Sequence, residues 1–198
     1  MAPNFVVPEE WDFAPRTTVK ADECVILCSG SPSRAGDFLA LEKPFRDALE
    51  LPNVKMVFMG WFPEWALDYP AGKVVWCRWV PIDKYARVMR WIAPDIMVSP
   101  MEHNVFNVAK SNLKWLEAAM VGACFVGARW GEYSRTVKDG ETGILADGLS
   151  EWRDVLTGLA LDAVKRQEVA EAGRREVLCR WTWEHVGPQW RKAVLGEE

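Results

Sequence analysis

The sequence has few of the side chains from which metal sites and disulfide frameworks are built. Only two of its 198 residues are histidines, the five cysteines are an odd number without a Cys-x-x-Cys spacing, and no Asp-x-Asp pair occurs. Zinc sites need clustered cysteines or histidines, and disulfide scaffolds of secreted proteins pair an even set of cysteines. We therefore expect reduced, mostly buried cysteines, a cytoplasmic location and no bound metal.

Long apolar runs and an excess of basic charge are also missing. No stretch approaches the roughly 18 apolar residues that cross a bilayer, and Met1–Pro8 lacks the basic segment that opens a secretory signal. The 24 basic residues are outnumbered by 28 acidic ones, which gives a net charge of −4. These features argue against a membrane span and against nucleic acid as a backbone-binding partner.

The pattern of apolar residues along the chain indicates an α/β protein. Hydrophobic residues make up 49% of the chain, and short apolar runs alternate with segments of helical spacing. This alternation predicts a single doubly wound, Rossmann-like domain, in which a parallel sheet of about six strands carries helices on both faces. The predicted strands are 24–27, 54–59, 73–77, 95–98, 123–126 and 144–145. The predicted helices are 37–49, 82–92, 108–121, one that Ser150 caps, 162–178 and 183–195.

The first twenty residues differ from the rest. Pro3, Pro8 and Pro15 interrupt any helix there, because proline lacks the backbone N–H that a helix interior uses. We expect residues 1–20 to form an extended arm and residues 21–198 to form the domain.

The most informative segment runs from Pro100 to Gly122, where a predicted strand leads into a predicted helix. Asn107 is placed to cap that helix, which would leave the backbone N–H groups of residues 108–111 free at the carboxyl edge of the sheet. Such a helix end attracts phosphate. Lys110 and Ser111, in the first turn, would add a cation and a hydroxyl.

Further along the same helix, Lys110, Lys114 and Glu117 fall on one stripe. Glu117 lies about 10 Å from Lys110 along the axis, a distance that separates a diphosphate from a ribose whose hydroxyls a carboxylate can accept. The same spacing also describes an ordinary solvated face with a Lys114–Glu117 ion pair. On spacing alone this simpler interpretation is favoured.

A longer pattern resembles the C-terminal domain of GT-B glycosyltransferases of the group 1 class, family four. It consists of Phe106-Asn-x-x-Lys-Ser-x-x-Lys-Trp-x-Glu117-Ala, Gly131-Glu-Tyr133 and Asp139-Gly-Glu-Thr-Gly-Ile-Leu145, with further likeness at Val80–Tyr85, Asp95–Pro100 and Trp152–Glu184. The resemblance implies a nucleotide-sugar donor of UDP or GDP type. It also implies a sugar transfer that retains configuration, needs no metal and goes to an unknown acceptor.

The family's E-x7-E motif is only half present. The position of Glu117 matches the second Glu, which in that family holds the nucleotide ribose, but Ala109 stands where the first Glu belongs. The resemblance implies that Lys110 or Ser111 takes its place by contacting the donor phosphates.

The resemblance extends to other parts of the predicted site. The loop 30–37 is similar to the family's phosphate-side glycine loop, which makes Arg34 a candidate for stabilising the leaving diphosphate, although a plain surface arginine fits equally well. The catalytic candidates are Lys110 and Glu117. The substrate-binding candidates are Gly30, Ser31, Arg34, Val80, His103, Phe106, Asn107, Lys110, Ser111, Lys114 and Glu117.

The two ends of the chain resemble parts that face another domain in this family. Residues 3–11 are similar to the hinge after an N-terminal acceptor domain, so the chain corresponds to the donor-binding half alone. The last helix is similar to the family's closing helix. Its apolar face, formed by Trp183, Val186, Trp190 and Val194, is expected to pack on Trp11 and Phe13 or on a second subunit.

Two other functions stay open at this stage. The missing motif Glu and acceptor domain favour a non-catalytic nucleotide-sugar-binding or assembly module, whereas the presence of Lys110, Ser111 and Glu117 favours an enzyme. A sugar-nucleotide epimerase is a weaker alternative, because such chemistry draws acid–base groups from two domains.

Overall fold

Six parallel strands form the sheet around which the described part of the chain is built. The computed structural model describes residues 3–11 and 23–196. The strands are β1 (Cys24–Gly30), β2 (Val54–Gly60), β3 (Val74–Cys77), β4 (Ile96–Ser99), β5 (Cys124–Ala128) and β6 (Ile144–Ala146). Their order is β3-β2-β1-β4-β5-β6, with every neighbouring pair parallel. The predicted doubly wound α/β fold is confirmed.

Helices connect these strands. They are α1 (Ala35–Leu39), α2 (Glu42–Leu49), α3 (Ile82–Ile92), α4 (Val105–Val108), α5 (Leu113–Val121), α6 (Tyr133–Thr136), α7 (Gly148–Leu161), α8 (Ala163–Arg180) and α9 (Trp183–Leu195). Short 3-10 turns occur at Pro8–Trp11, Pro32–Arg34 and Glu64–Asp68. Within the described ranges, no helix combines the length and the apolar character that a bilayer crossing requires.

Three predicted helices have different boundaries in the structure. The single helix expected at 37–49 is interrupted between α1 and α2, where Leu41 N–H closes a turn onto the Phe38 carbonyl. The helix expected to start after Ser150 starts at Gly148, because the Asp147 side chain accepts from the Gly148 N–H (2.9 Å) and caps it. The helix expected at 108–121 is two helices, α4 and α5, with a bend between them.

The core lies between the sheet and the helices that cover it, and it contains three of the five cysteines. Cys24, Cys28 and Cys124 are buried in the central strands. Burial raises the pKa of the Cys28 thiol well above its ordinary value and that of Cys124 to about 12. These thiols therefore stay protonated and unreactive at neutral pH.

The order in which the chain adds strands to the sheet reverses between β1 and β4, although the two strands are parallel. The chain builds outwards from β1 through β2 to β3, then returns to place β4 on the other side of β1. The connections that follow these two strands therefore leave the sheet in opposite directions, which opens a crevice at their carboxyl ends. This is where ligands bind in doubly wound proteins.

The described part of the N-terminal arm covers the last helix, but with other residues than expected. Val6 forms a parallel bridge with Thr182, and Phe5 packs on Trp183 with ring centroids 5.0 Å apart. Trp190 Nε1 donates to the Pro3 carbonyl (2.7 Å). Trp11, which was also expected on this face, packs its ring edge-on against that of Tyr85 in α3.

The arm is also not extended throughout, because residues 8–11 form a 3-10 turn. The rest of the arm prediction, with Phe13, lies outside the described residues.

Candidate functional site

A cavity of about 260 Å³ opens at the crevice between β1 and β4. Seven of the predicted substrate-binding residues line it together, although they come from three separate parts of the chain. They are Gly30, Ser31, Arg34, Val80, Lys110, Ser111 and Lys114. The other lining residues include Ser29, Trp79, Tyr85 and Tyr133.

Two glycines make room for this cavity at the ends of β1 and β2. Gly60 has a φ of 89°, and a Cβ there would lie 2.5 Å from the Gly30 carbonyl oxygen. A Cβ on Gly30 would lie 2.8 Å from the Phe38 ring. Only glycine at both positions allows the loop that carries Arg34 to approach the strand ends this closely.

Arg34 is fixed at the floor of the cavity. Its guanidinium is 9% exposed, its Nε lies 2.7 Å from Asp37 Oδ2, and its Nη2 donates to the Pro100 carbonyl. The interpretation of Arg34 as a surface arginine is therefore wrong. Its contacts with described residues use Nε and Nη2, which leaves Nη1 available to donate to a ligand.

Asn107 does not cap a helix and does not face the cavity, which corrects its predicted role. Asn104 caps α4 instead, with its side chain accepting from the Asn107 N–H (2.8 Å). The Asn107 side chain is 1% exposed and donates to Asp37 Oδ1 (2.7 Å) and to the Glu102 carbonyl (3.0 Å). It thereby orients the carboxylate that holds Arg34, and it is too deeply buried to contact a ligand in this arrangement.

The predicted row of free backbone N–H groups at residues 108–111 is also wrong in part. Val108 N–H donates to the Asn104 carbonyl (3.2 Å) and Lys110 N–H to the Asn107 carbonyl (3.1 Å), so both are used within the turns after α4. The second of the two helices, α5, starts at Leu113, with Asn112 in the N-cap position. Its positive dipole end therefore lies one turn further along the chain than predicted.

Lys110 brings a second cation to the cavity beside Arg34. Its ammonium lies 4.1 Å from the centroid of the Phe106 ring, a distance at which the ring attracts a cation. Burial and the positive charge of Arg34 lower the pKa of Lys110, and Asp37 offsets this only in part. Among the described residues no carboxylate pairs with Lys110, so this corner of the cavity has an excess of positive charge. Phe106 itself is exposed and acts here by holding the lysine.

Lys114 and Glu117 form the ion pair that the helical spacing allowed, but it is not on a solvated face. Lys114 Nζ lies 2.8 Å from Glu117 Oε2, and the two side chains are only 23% and 9% exposed. Tyr85, from α3, donates its hydroxyl to the same oxygen (2.8 Å). Lys114 also donates to the Tyr85 oxygen (3.0 Å) and to Ser29 Oγ (3.3 Å). A compact polar network therefore forms one wall of the cavity.

Lys114 and Tyr85 both keep their protons around neutral pH. Burial alone lowers the pKa of Lys114, but Glu117 and Tyr85 raise it by more, so that it lies above its ordinary value. Burial and the charge of Glu117 raise the pKa of the Tyr85 hydroxyl. A lysine whose pKa is raised on folding stabilises the protein fully below its unfolded pKa, and this contribution is lost only as the pH rises through the folded value.

Glu117 keeps one carboxylate oxygen for a further partner. Both of its hydrogen bonds to described residues end on Oε2. An ionised carboxylate has two acceptor oxygens, each with two lone pairs. Oε1 therefore remains able to accept from hydroxyl groups of a ligand.

His103 lies apart from this network. Its ring stacks on Trp130 at 4.7 Å between centroids, and it lines a second hollow of about 230 Å³ together with Asp37 and Trp152. It is not among the residues that line the cavity at β1 and β4. The role of His103 in substrate binding stays a prediction.

Sequence reasoning missed two participants in the site. Tyr85 falls in the predicted helix 82–92 and in the Val80–Tyr85 segment of family likeness, but no role in the site was assigned to it. The contact between α3 and α5 that brings its hydroxyl to Glu117 has no signal in the spacing. Asp37 was interpreted as part of a helix and not as the partner of Arg34. Its position three residues after Arg34 is the spacing of an ion pair and is the signal that could have indicated this.

Comparison with known proteins places this chain in a family. Residues 41–192 match a family model described as glycosyl transferase-like. The match covers most of the chain, which therefore belongs to the glycosyl transferase-like family. The predicted resemblance to GT-B glycosyltransferases of the group 1 class is confirmed. A comparison with curated proteins finds no match.

Solved structures of low identity share the fold. HepE from Anabaena, solved in complex with UDP and glucose, superposes with a TM-score of 0.73 at 16% identity, over 99% of this chain and 56% of that one. WaaG, a glycosyltransferase of lipopolysaccharide biosynthesis, gives 0.68 at 14%, over 99% and 56%. The chain thus spans about half the length of these proteins.

A third similar structure is close to this chain in extent. The C-terminal domain of LpcC from Francisella tularensis, a group 1 family glycosyl transferase, gives a TM-score of 0.59 at 16% identity, over 91% of this chain and 95% of that domain. Among the residues that the structure describes, no group of three or more His, Cys, Asp or Glu side chains is arranged to hold a metal ion.

Proposed function

We propose that this chain is the donor-binding part of a glycosyltransferase, which transfers a sugar from a UDP- or GDP-type nucleotide sugar to an acceptor hydroxyl with retention of configuration and without a metal. The observation that carries the proposal is the cavity at the carboxyl ends of β1 and β4. Arg34, Lys110, Lys114 and Tyr85 line it, and Lys114 and Tyr85 both bond to the carboxylate of Glu117, which is not itself among the lining residues. A cationic corner and an accepting carboxylate are the two partners that a nucleoside diphosphate needs.

The diphosphate is assigned to the cationic corner. Arg34 Nη1, the Lys110 ammonium and the Ser111 hydroxyl are the donors there, and the start of α5 adds its dipole. As the bond between sugar and diphosphate breaks, negative charge grows on the leaving group. Donors that are already fixed in place stabilise this charge more than water would, and the contacts of Arg34 with Asp37 provide that fixation.

The nucleoside is assigned to the opposite wall. Glu117 Oε1 accepts from the ribose hydroxyls, while Lys114 and Tyr85 hold Oε2. The segment around Val80 borders the base, and the Trp79 side chain, which lines the cavity and is largely exposed, offers a stacking surface. The structure of HepE with UDP is the reason to begin with uridine nucleotides.

A non-catalytic nucleotide-sugar-binding or assembly module is the second candidate. It is favoured by Ala109, which stands where the related motif has its first Glu and which carries no polar group. Such a module would bind the donor and release nothing.

A thermal-shift panel followed by a nucleotide-release assay tests both candidates. A ligand at 100 times its Kd stabilises a protein by about 2.7 kcal/mol, which raises the Tm of a domain of this size by about 5–10 °C. We expect UDP or GDP to give such a shift, and the matching nucleotide sugar to release free nucleotide with an acceptor or slowly with water. Binding without release would favour the module, and the absence of any shift across the panel would contradict the proposal.

The lowered pKa of Lys110 gives the proposal a pH dependence. Binding of an anion raises the pKa of Lys110 again, so the complex holds its proton more tightly than the free protein does. Affinity for a diphosphate should therefore fall as the pH rises through the free-state pKa of Lys110, which lies below its ordinary value of 10.5. We expect the fall in affinity of UDP between pH 7 and 10 to be smaller in Lys110→Arg, because arginine stays charged. Parallel curves for the two proteins would remove Lys110 from the phosphate site.

A further inference from the structure

The N-terminal segment Pro3–Trp11 reaches from the last helix to the wall of the cavity. Its first residues are bonded to α9, as described above, and its 3-10 turn ends in Trp11. Trp11 is only 8% exposed. Its ring packs edge-on against the ring of Tyr85, with centroids 6.2 Å apart and planes at 89°. The segment thus contacts a side chain of the candidate site directly.

Tyr85 connects this contact to the carboxylate. Its hydroxyl donates to Glu117 Oε2 (2.8 Å) and accepts from Lys114 (3.0 Å). A tyrosine hydroxyl stays at the end of such a network only while packing holds the side chain in one χ1 rotamer, since rotation about χ1 moves the whole ring and its hydroxyl away. Trp11 supplies one of the surfaces that restrict it, and an edge-to-face aromatic pair of this geometry is favourable in itself.

We infer that Trp11 is a positioning residue of the nucleotide site. By packing on the Tyr85 ring, it fixes the Glu117 carboxylate through Oε2 and leaves Oε1 to accept from the ribose. The inference rests on the proposed function, because it assigns Glu117 to the ribose. It makes the N-terminal segment part of the donor site in addition to a cover for α9.

Binding measurements with two ligands separate this role from a general loss of stability. We expect Trp11→Ala and Tyr85→Phe each to weaken UDP binding by about 5- to 20-fold, towards the lower end of the loss of a hydrogen bond to a charged group, because the ribose contact is loosened and not removed. Affinity for inorganic pyrophosphate, which has no ribose, should change by less than about twofold in both variants. The double variant should bind UDP no more than about twofold more weakly than the weaker single variant, because the two residues act through one contact.

Two further variants control for folding. Phe5→Ala removes the contacts of the segment with Trp183 and Trp190, and should lower the Tm without changing the affinity for UDP. Trp11→Phe keeps an aromatic edge against Tyr85 and should restore most of the affinity that Trp11→Ala loses. A folded Trp11→Ala protein with wild-type affinity for UDP would overturn the inference.

A second measurement needs no ligand. The chain has three tyrosines, so NMR of protein labelled at the tyrosine Cζ gives three titration curves, and Tyr85→Phe assigns the one of Tyr85. Burial and Glu117 raise the pKa of Tyr85, and we expect Trp11→Ala to lower it towards its ordinary value while Phe5→Ala leaves it unchanged. If the wild-type protein binds no nucleotide, the proposed function fails. An unchanged Tyr85 titration in Trp11→Ala would then still overturn the coupling on its own.

Discussion

Replacement of Glu117 by alanine is expected to weaken nucleotide binding and to destabilise the protein at the same time. The change removes the acceptor that we assign to the ribose, which should cost about 1–3 kcal/mol of binding free energy. It also leaves the ammonium of Lys114, a side chain that is 23% exposed, without its counter-charge. Loss of one partner of a buried pair costs about 3–5 kcal/mol, and we expect about 2–3 kcal/mol here because part of Lys114 reaches water.

A double replacement separates these two effects. Lys114→Met with Glu117→Leu removes both charges and keeps similar volumes, and such exchanges are often neutral for stability. We expect the double variant to melt close to wild type and still to lack nucleotide affinity. Equilibrium unfolding in urea and titration with UDP provide the two values. A single Glu117→Ala variant that melts like wild type would contradict the buried-pair interpretation, and one that binds UDP normally would exclude Glu117 from the site.

Lys110→Met should reduce the affinity for nucleoside diphosphates by about 10- to 100-fold, the equivalent of about 1.5–3 kcal/mol for hydrogen bonds to a charged group. The reason is that Lys110 and Arg34 together form the cationic corner, and no described carboxylate competes for Lys110. Affinity for the nucleoside without phosphates should be unchanged. Stability should change little, because the lysine side chain makes no hydrogen bond or ion pair with the described residues and its close partner there is the Phe106 ring.

The matched control is Lys84→Met. Lys84 is an exposed lysine on α3, so this variant changes the net charge of the protein by the same amount without touching the cavity. We expect wild-type affinities for it, measured by calorimetry at two salt concentrations. Equal losses in the two variants would mean that overall charge and not a phosphate contact determines the binding. Equal losses of affinity for the nucleoside and for the nucleoside diphosphate in Lys110→Met would exclude a contact between Lys110 and the phosphates.

Much of the fold was predictable from the sequence because its strands are buried on both faces. Continuous apolar runs such as 56–59 indicate such strands directly, and the 82–92 and 183–195 spacings predicted α3 and α9 with their observed bounds. The bend between α4 and α5 was not predictable in this way. At this bend Asn107 is buried and donates to Asp37, a contact between residues seventy positions apart that spacing along the chain does not indicate.

The site was predicted in its members more than in its arrangement. The motif pattern brought Lys110, Lys114 and Glu117 together, and the structure places the two lysines at one cavity, with Glu117 bonded to Lys114. Spacing alone could not indicate whether the face of α5 that carries Lys114 and Glu117 is solvated, since that depends on which side chains of α3 pack over it. The roles of these residues in binding stay predictions.

A structure of the protein with the nucleoside diphosphate that stabilises it most would test the central claim most directly. We predict the diphosphate between Arg34 and Lys110, and the ribose hydroxyls on Glu117 Oε1, with Lys114 and Tyr85 still bonded to Oε2. A nucleotide bound instead in the hollow beside His103 and Trp130, with the cavity at β1 and β4 empty, would contradict the account.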